Sequence, residues 1–318
     1  QAAITLIKNT DSLLPLKRLD TLRIASLNFG ARAVNNFQTT LERYTQVTHF
    51  VANKKLSDEE LRNLQKKLQP FNCIIIYNNL STNSAQKNFG YSPVLDTLIR
   101  QQTGKRIILC HPGIPYGLAS YASLPTDALL LSYENHLYAQ QYAAQAIFGG
   151  IAMTARFQQS KPPAKPVCVD PDYPAGTGIQ TPKTRLSYTS PEMCRLDSEK
   201  LAKIDSICQL AVQAHATPGC QVLIAKDGNI FYNKAFGHHT YKQTTPNKTS
   251  DIYDLASVTK ITATLPAIIK LYDSRKINLA APLSDYYPPL KETDKKDITV
   301  QEVLCHNAGL KTFLPLFT

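Results

Sequence analysis

Three short segments that are apolar almost from end to end, 72–77, 106–111 and 128–132, constrain the fold of this chain more than any other feature. A strand that is apolar on both faces has to be covered on both faces. Such strands joined by helices form a mostly parallel sheet between helical layers. The intervening stretches supply the helices: 57–68 reads as a charged helix with Ser57 as N-cap and Glu60 completing a capping box, 93–102 as a second helix, and 134–148 as a third, closed by Gly149 and Gly150. Upstream, 22–28 and 46–52 read as further strands, 31–44 has helical spacing, and 2–8 is expected to be a short apolar helix.

The run 160–191 contains Pro162, Pro163, Pro166, Pro171, Pro174, Gly176, Gly178 and Pro182, and reads as an extended linker that buries no regular element. The expected organisation is an α/β sandwich domain at 1–158, a linker at 159–192 and a second domain at 193–318. In the second domain, 196–214 is an amphipathic helix with Asp197 as N-cap, and 219–226 and 230–236 are strands joined by the hairpin signal Asp227, Gly228, Asn229. His238 and His239 open a polar loop, where adjacent rings without a third ligand are poor chelators. Residues 279–287 are turn-rich, and 299–304 is a short helix capped by Thr299 and Glu302.

A 43% hydrophobic content places the chain among globular proteins, and no apolar run is long enough to cross a bilayer, so no integral membrane segment is expected. The formal charge of +11 is spread along the sequence as on a solvated surface. Without a zinc-knuckle, recognition-helix or aromatic-basic pattern, it does not call for nucleic acid. Seven irregularly spaced cysteines, with no CxxC pair, indicate neither a disulfide framework nor a metal site, and no cofactor is expected. Cys73 and Cys110 fall in core strands, where a thiol behaves as a small apolar group. The sequence begins and ends inside segments that look folded and apolar, so it reads as an internal piece of a larger protein.

The segment 254–260, Asp-Leu-Ala-Ser-Val-Thr-Lys, carries the candidate chemistry. If a helix opens near Ser257, Ser257 and Lys260 leave the same face of its first turn and can share a proton. A lysine activates a serine only when burial leaves the amine neutral, and a backbone N–H at the helix start can stabilise an oxyanion. The spacing alone is a weak signal, since Ser84 and Lys87 share it in a loop, and the plain alternative is an N-cap serine beside a solvated lysine. Residues 261–272 continue at helical spacing, and Pro266 is expected to kink or loosen that helix. His111, at a strand's end, reads as a turn residue before Pro112 rather than a ligand contact. Asp127 and Glu134 flank the last strand; they could face a neighbouring domain, and a helix N-terminal acid explains Glu134 equally well.

In the first half, AAITLIKNTDSLLPL (2–16) followed by a strand, and ALLLSY (128–133) followed by a helix ending in AIFGG (146–150), resemble the C-terminal α/β sandwich domain of glycoside hydrolase family 3. The chain departs from that family after Gly150, where 151–157 replaces the usual proline-bearing strand. The family's nucleophilic aspartate belongs to an N-terminal barrel that this sequence lacks, so no glycosidase catalytic residue is carried over. In the second half, PGCQVLIAKDGNIFYNKAFG (218–237), IYDLASVTK (252–260), KINLAAPLSDYYP (276–288) and VQEVLCHNAGL (300–310) resemble, in order and spacing, the serine β-lactamase and penicillin-binding-protein-like hydrolases of the class C and esterase type.

This second resemblance implies that Ser257 is the acylated serine and Lys260 its general base, with His306 and Gly309 in a structural segment. The family's later "YxN" and "HxG" or "KTG" motifs have no counterpart here. The implied whole is an α/β sandwich followed by an incomplete α+β serine β-lactamase-like domain, a piece of a fused hydrolase acting on saccharide or muropeptide substrates in peptidoglycan recycling. The resemblance favours a periplasmic or secreted setting, and the truncated piece is expected to be inactive by itself. The alternative is a non-catalytic docking module attached to a glycosidase.

Overall fold

The computed structural model describes residues 4–80, 82, 84–157 and 176–311. The chain divides into two compact bodies, 1–249 and 250–318. The first is organised around a six-stranded sheet, β1 (Thr5–Asn9), β2 (Ile24–Phe29), β3 (Val47–Ala52), β4 (Cys73–Asn78), β5 (Arg106–His111) and β6 (Ala128–Leu131), in the order β1-β6-β5-β4-β2-β3. Five strands run parallel and β1 closes one edge antiparallel to β6.

Alternate residues of each strand feed opposite faces, as the pleat requires. Ile75, Tyr77, Ile108 and Leu130 pack with Phe37 and Leu41 of α1 (Asn36–Leu41) and with Ala143 and Ile147 of α5 (Leu137–Ile147). On the other face Ile74, Ile76, Leu109 and Leu129 pack with Leu64 and Leu68 of α2 (Asp58–Leu68), Leu98 of α3 (Pro93–Arg100) and Tyr121 of the one-turn α4 (Ala119–Ala122). The mostly parallel sheet between helical layers is the architecture read from the sequence. The Ser57 and Glu60 capping box forms as expected, and Ser92 caps α3.

Several local expectations are corrected. The helix expected over 2–8 does not form over its described part, 4–8: Ile4 and Leu6 enter one core and Ile7 the other, so this apolar segment does more as an edge strand buried on both sides than as a helix with one buried stripe, while residues 2 and 3 lie outside the described residues. The helix expected over 31–44 shrinks to α1, because Asn35 caps it reciprocally with Gln38 and Asn28 Nδ2 holds Ala33 O at 2.8 Å, fixing the preceding residues as a loop. The helix expected from 134 starts at Leu137, where His136 Nδ1 accepts from the N–H groups of Tyr138 and Ala139.

The linker expectation also changes. Residues 158–175, with most of the prolines, lie outside the described residues, but 176–191 is strapped to the first sheet. Ile179 bridges Leu6, Thr181 bridges Met153, and Arg185 Nη1 donates to the carbonyls of Leu16 at 2.8 Å and Phe148 at 2.5 Å. Tyr188 N donates to Gln145 Oε1 at 2.7 Å while Gln145 Nε2 donates to Tyr188 O at 3.1 Å, so one side chain of α5 satisfies both backbone groups like a neighbouring strand.

The strap then becomes β7 (Ser187–Tyr188), which joins β8 (Gly219–Lys226) and β9 (Asn229–Gly237) in a three-stranded sheet ordered β7-β9-β8. The hairpin turns at Asp227 and Gly228, both at positive φ, as its sequence demands. Helix α6 (Ser198–Gln213) is capped by Asp197, whose carboxylate accepts from Glu199 N at 2.9 Å.

The described residues of the body 250–318 include a 3-10 turn at Ala256–Val258, a π turn at Lys260–Thr264, α7 (Leu265–Asp273), two 3-10 turns at Leu283–Asp285 and Pro288–Glu292 within a segment bridged between Pro282 and Thr299, and α8 (Val300–Leu304) with its Thr299 and Glu302 capping box. Pro266 acts as expected. It has no N–H to give, and the ladder before it widens so that Leu265 N reaches Lys260 O five residues back. Among the described residues of this body only Ser284 and Val300 are buried. No helix among the described residues is long and apolar enough to cross a membrane.

Candidate functional site

The 254–260 segment folds by satisfying its own backbone. Asp254 Oδ1 accepts from Ala256 N at 2.9 Å and Val258 N donates to Leu255 O at 2.9 Å, which turns the chain into the 3-10 start. Ala256 is held at φ 43°, a left-handed conformation that costs a Cβ-bearing residue on the order of 1 kcal/mol, immediately before Ser257. Lys260, three residues on, opens the π turn. Its Nζ donates to Ser257 Oγ at 3.0 Å. The two sequence-predicted residues are therefore brought together.

They are not buried. Ser257 and Lys260 are both exposed, which corrects the expectation of a pair at the buried mouth of a helix. The physical reason is that the apolar side chains around them have little to pack on: Ile261 is 65% and Ile269 51% exposed, and Val258 and Tyr272 are exposed as well. The control sequence behaves differently. Ser84 caps a distorted 3-10 segment, Ala85–Gly90, through its carbonyl, and no Ser84–Lys87 side-chain hydrogen bond forms among the described residues.

The residues weighed beside the pair take structural places. His111 is the last residue of β5 rather than a turn residue and is fully buried, against the ring of Tyr121 at 5.0 Å, with no hydrogen-bond partner for either ring nitrogen among the described residues. Burial pushes its pKa down to about 4, so it is neutral at pH 7. Asp127 Oδ2 accepts from Ile107 N at 2.7 Å and so ties β6 to β5. Glu134 pairs with His136 at 2.6 Å on the surface. Among the described residues no group of three or more potential metal ligands assembles.

One constellation was not legible in the sequence, because its members come from two strands and a helix end. Ser26 Oγ lies 2.7 Å from His49 Nδ1, and His49 Nε2 lies 3.0 Å from Glu42 Oε1. The order is that of a serine, base and acid relay, yet Ser26 is fully buried in mid-strand and Gln38 Nε2 occupies its Oγ at 2.9 Å. No carbonyl can reach it, so the row is a polar tie between β2, β3 and α1. Burial lowers the His49 pKa against the opposing pull of Glu42.

Residues 204–317 match the family model described as Beta-lactamase, and Ser257 and Lys260 lie within that region. "Protein flp" of Staphylococcus aureus (strain NCTC 8325 / PS 47) is 29% identical over 119 residues, which cover 36% of this chain and 24% of that protein. An "N-acetylmuramyl-L-alanine amidase" of Bacillus subtilis (strain 168) is 29% identical over 140 residues, 40% of this chain and 32% of that protein. The chain thus spans about a quarter to a third of the length of these relatives. Among solved structures, a glycoside hydrolase family 3 β-N-acetylglucosaminidase from Paenibacillus sp. str. FPU-7 aligns with TM-score 0.37 and 17% identity over 47% of this chain and 29% of that one. A β-glucosidase from Listeria innocua in complex with glucose aligns with TM-score 0.42 and 16% identity over 56% and 32%. These structural likenesses are too distant to assign anything to this chain.

Proposed function

We propose that the protein to which this chain belongs is a two-part hydrolase, with a serine acyl hydrolase built around Ser257 and Lys260 at 193–318 and a glycoside hydrolase family 3 sandwich at 1–158. The observation that carries the acyl-transfer reading is the 3.0 Å hydrogen bond from Lys260 Nζ to Ser257 Oγ, inside the region matched by the Beta-lactamase family. In the reaction Ser257 Oγ attacks an amide or ester carbonyl and its proton passes to Lys260. The leaving group then departs with a proton, and water releases the acyl group from Ser257. The backbone N–H of Ser257, in the first turn of the 256–264 helical run, is the group placed to donate to the oxyanion, since those of Ala256, Val258 and Thr259 are already bonded.

The step requires a neutral amine. In this chain Lys260 is exposed, so the proposal includes desolvation of the pair by substrate and by further parts of the domain. The amidase named among the relatives favours a peptide amide of the cell wall as the acyl substrate. The glycosidase half rests on the sequence motifs at 2–16 and 128–150, and the two activities together suit turnover of muropeptides. The test is to treat the full-length protein with a serine-reactive acyl phosphonate. The expected result is a single adduct on the peptide containing Ser257, absent from Ser257→Ala. A folded full-length protein that takes no label there is the docking module of the alternative reading.

A further inference from the structure

Two cysteines twelve residues apart are brought together where α6 returns to the hairpin. Cys208 is the buried residue of α6 and lies between Asp205, which bonds Tyr232 and Lys234 of β9, and Val212, which packs beside Gly237 at the end of β9; Cys220, the second residue of β8, is partly accessible and pairs with Phe236 on that same face of the hairpin. The hydroxyl of Tyr232 of β9 donates to Asp205 of α6. Lys234 Nζ closes the cluster, 2.7 Å from Asp205 and 5.2 Å from the centroid of the Tyr232 ring. The other two buried cysteines are placed differently: in the β4–β5 ladder Cys73 sits opposite Arg106 and Cys110 opposite Tyr77.

We propose that Cys208 and Cys220 are a modification site, a dithiol that a disulfide oxidant converts reversibly to an intramolecular disulfide joining α6 to β8. The accessible Cys220, as thiolate, attacks one sulfur of the oxidant, forms a mixed disulfide and releases one thiol. Cys208, as thiolate, then attacks Cys220 Sγ and expels the second thiol. The protein loses two electrons and two protons, and the oxidant's disulfide becomes two thiols. Burial, with the neighbouring Cys208, holds the Cys220 thiol above its ordinary pKa, so thiolate is scarce at neutral pH. Asp205, Lys234 and Tyr232 are the titratable groups that face the pair. Oxidation therefore accelerates as pH rises.

The pair sits on one peptide, since no Lys or Arg falls between Lys203 and Lys226. The chain is incubated folded with oxidised glutathione, alkylated, digested with trypsin and weighed. The expected product is peptide 204–226 about 2 Da lighter and unalkylated, restored to two alkylated thiols by dithiothreitol, and forming about tenfold faster per pH unit below the Cys220 pKa. In Cys220→Ser, which leaves the buried Cys208 in place, the 2 Da loss disappears. Two alkylated cysteines after oxidation, or a stable glutathione adduct on Cys220 without ring closure, overturns the proposal. The outcome is independent of whether Ser257 is catalytic.

Discussion

At the residue scale, His111 is where the sequence and the fold part most clearly. A histidine before Pro112 and Gly113 reads as a turn residue, yet the strand register carries it to the last position of β5, where Leu131 pairs with it and the ring has no polar partner among the described residues. An imidazole of pKa about 4 in the folded chain and about 6.5 unfolded binds fewer protons folded than unfolded between those values. Stability from this site is therefore full above pH ~6.5 and falls as pH drops toward 4, by about 3 kcal/mol in total. Urea unfolding from pH 7 to 4 should give His111→Leu a flatter stability profile than wild type, and parallel profiles would contradict the account. Ala256 offers a second test. Glycine accepts φ 43° without steric cost, so Ala256→Gly should leave the stability of its helical start unchanged or raised by up to about 1 kcal/mol, read from amide exchange in that turn.

At the element scale, what was legible is what local chemistry decides alone. The capping boxes at Ser57 and Thr299, the Asp197 cap and the Asp227–Gly228 turn all depend on residues three or fewer apart, and all formed as read. Thr299→Ala should cost α8 about 1 kcal/mol, measured by thermal melting or amide exchange. The first strand and the strap at 176–191 were not legible, because each is fixed by partners more than a hundred residues away or by side chains such as Gln145 that imitate backbone. Gly149 fixes the strap most tightly: it sits at φ +75°, accepts from Thr184 N at 2.7 Å, and a Cβ there would lie 2.2 Å from Thr184 Oγ1 and 2.8 Å from Pro15 Cβ. Gly149→Ala should cost about 2 kcal/mol and speed proteolysis of the strap, whereas unchanged cleavage would place the strap's anchor elsewhere.

At the scale of the whole molecule, the sandwich was readable because strands apolar on both faces leave one solution. The pairing of Ser257 with Lys260 was readable because helical spacing sets it. Their exposure was not, since burial depends on what covers the apolar side chains of Val258, Ile261, Leu265 and Ile269, all of which face solvent in the 250–318 body. Such a surface should bind an apolar dye, and Ile261→Glu with Ile269→Glu should reduce that fluorescence without loss of helicity. The central claim is that the amine of Lys260 takes the proton of Ser257, and the most direct measurement is the rate of Ser257 acylation in the full-length protein with Lys260 replaced. Lys260→Ala, shown to be folded by circular dichroism, should acylate on the order of a hundred- to ten-thousand-fold more slowly than wild type. Equal rates in the two proteins would contradict the account.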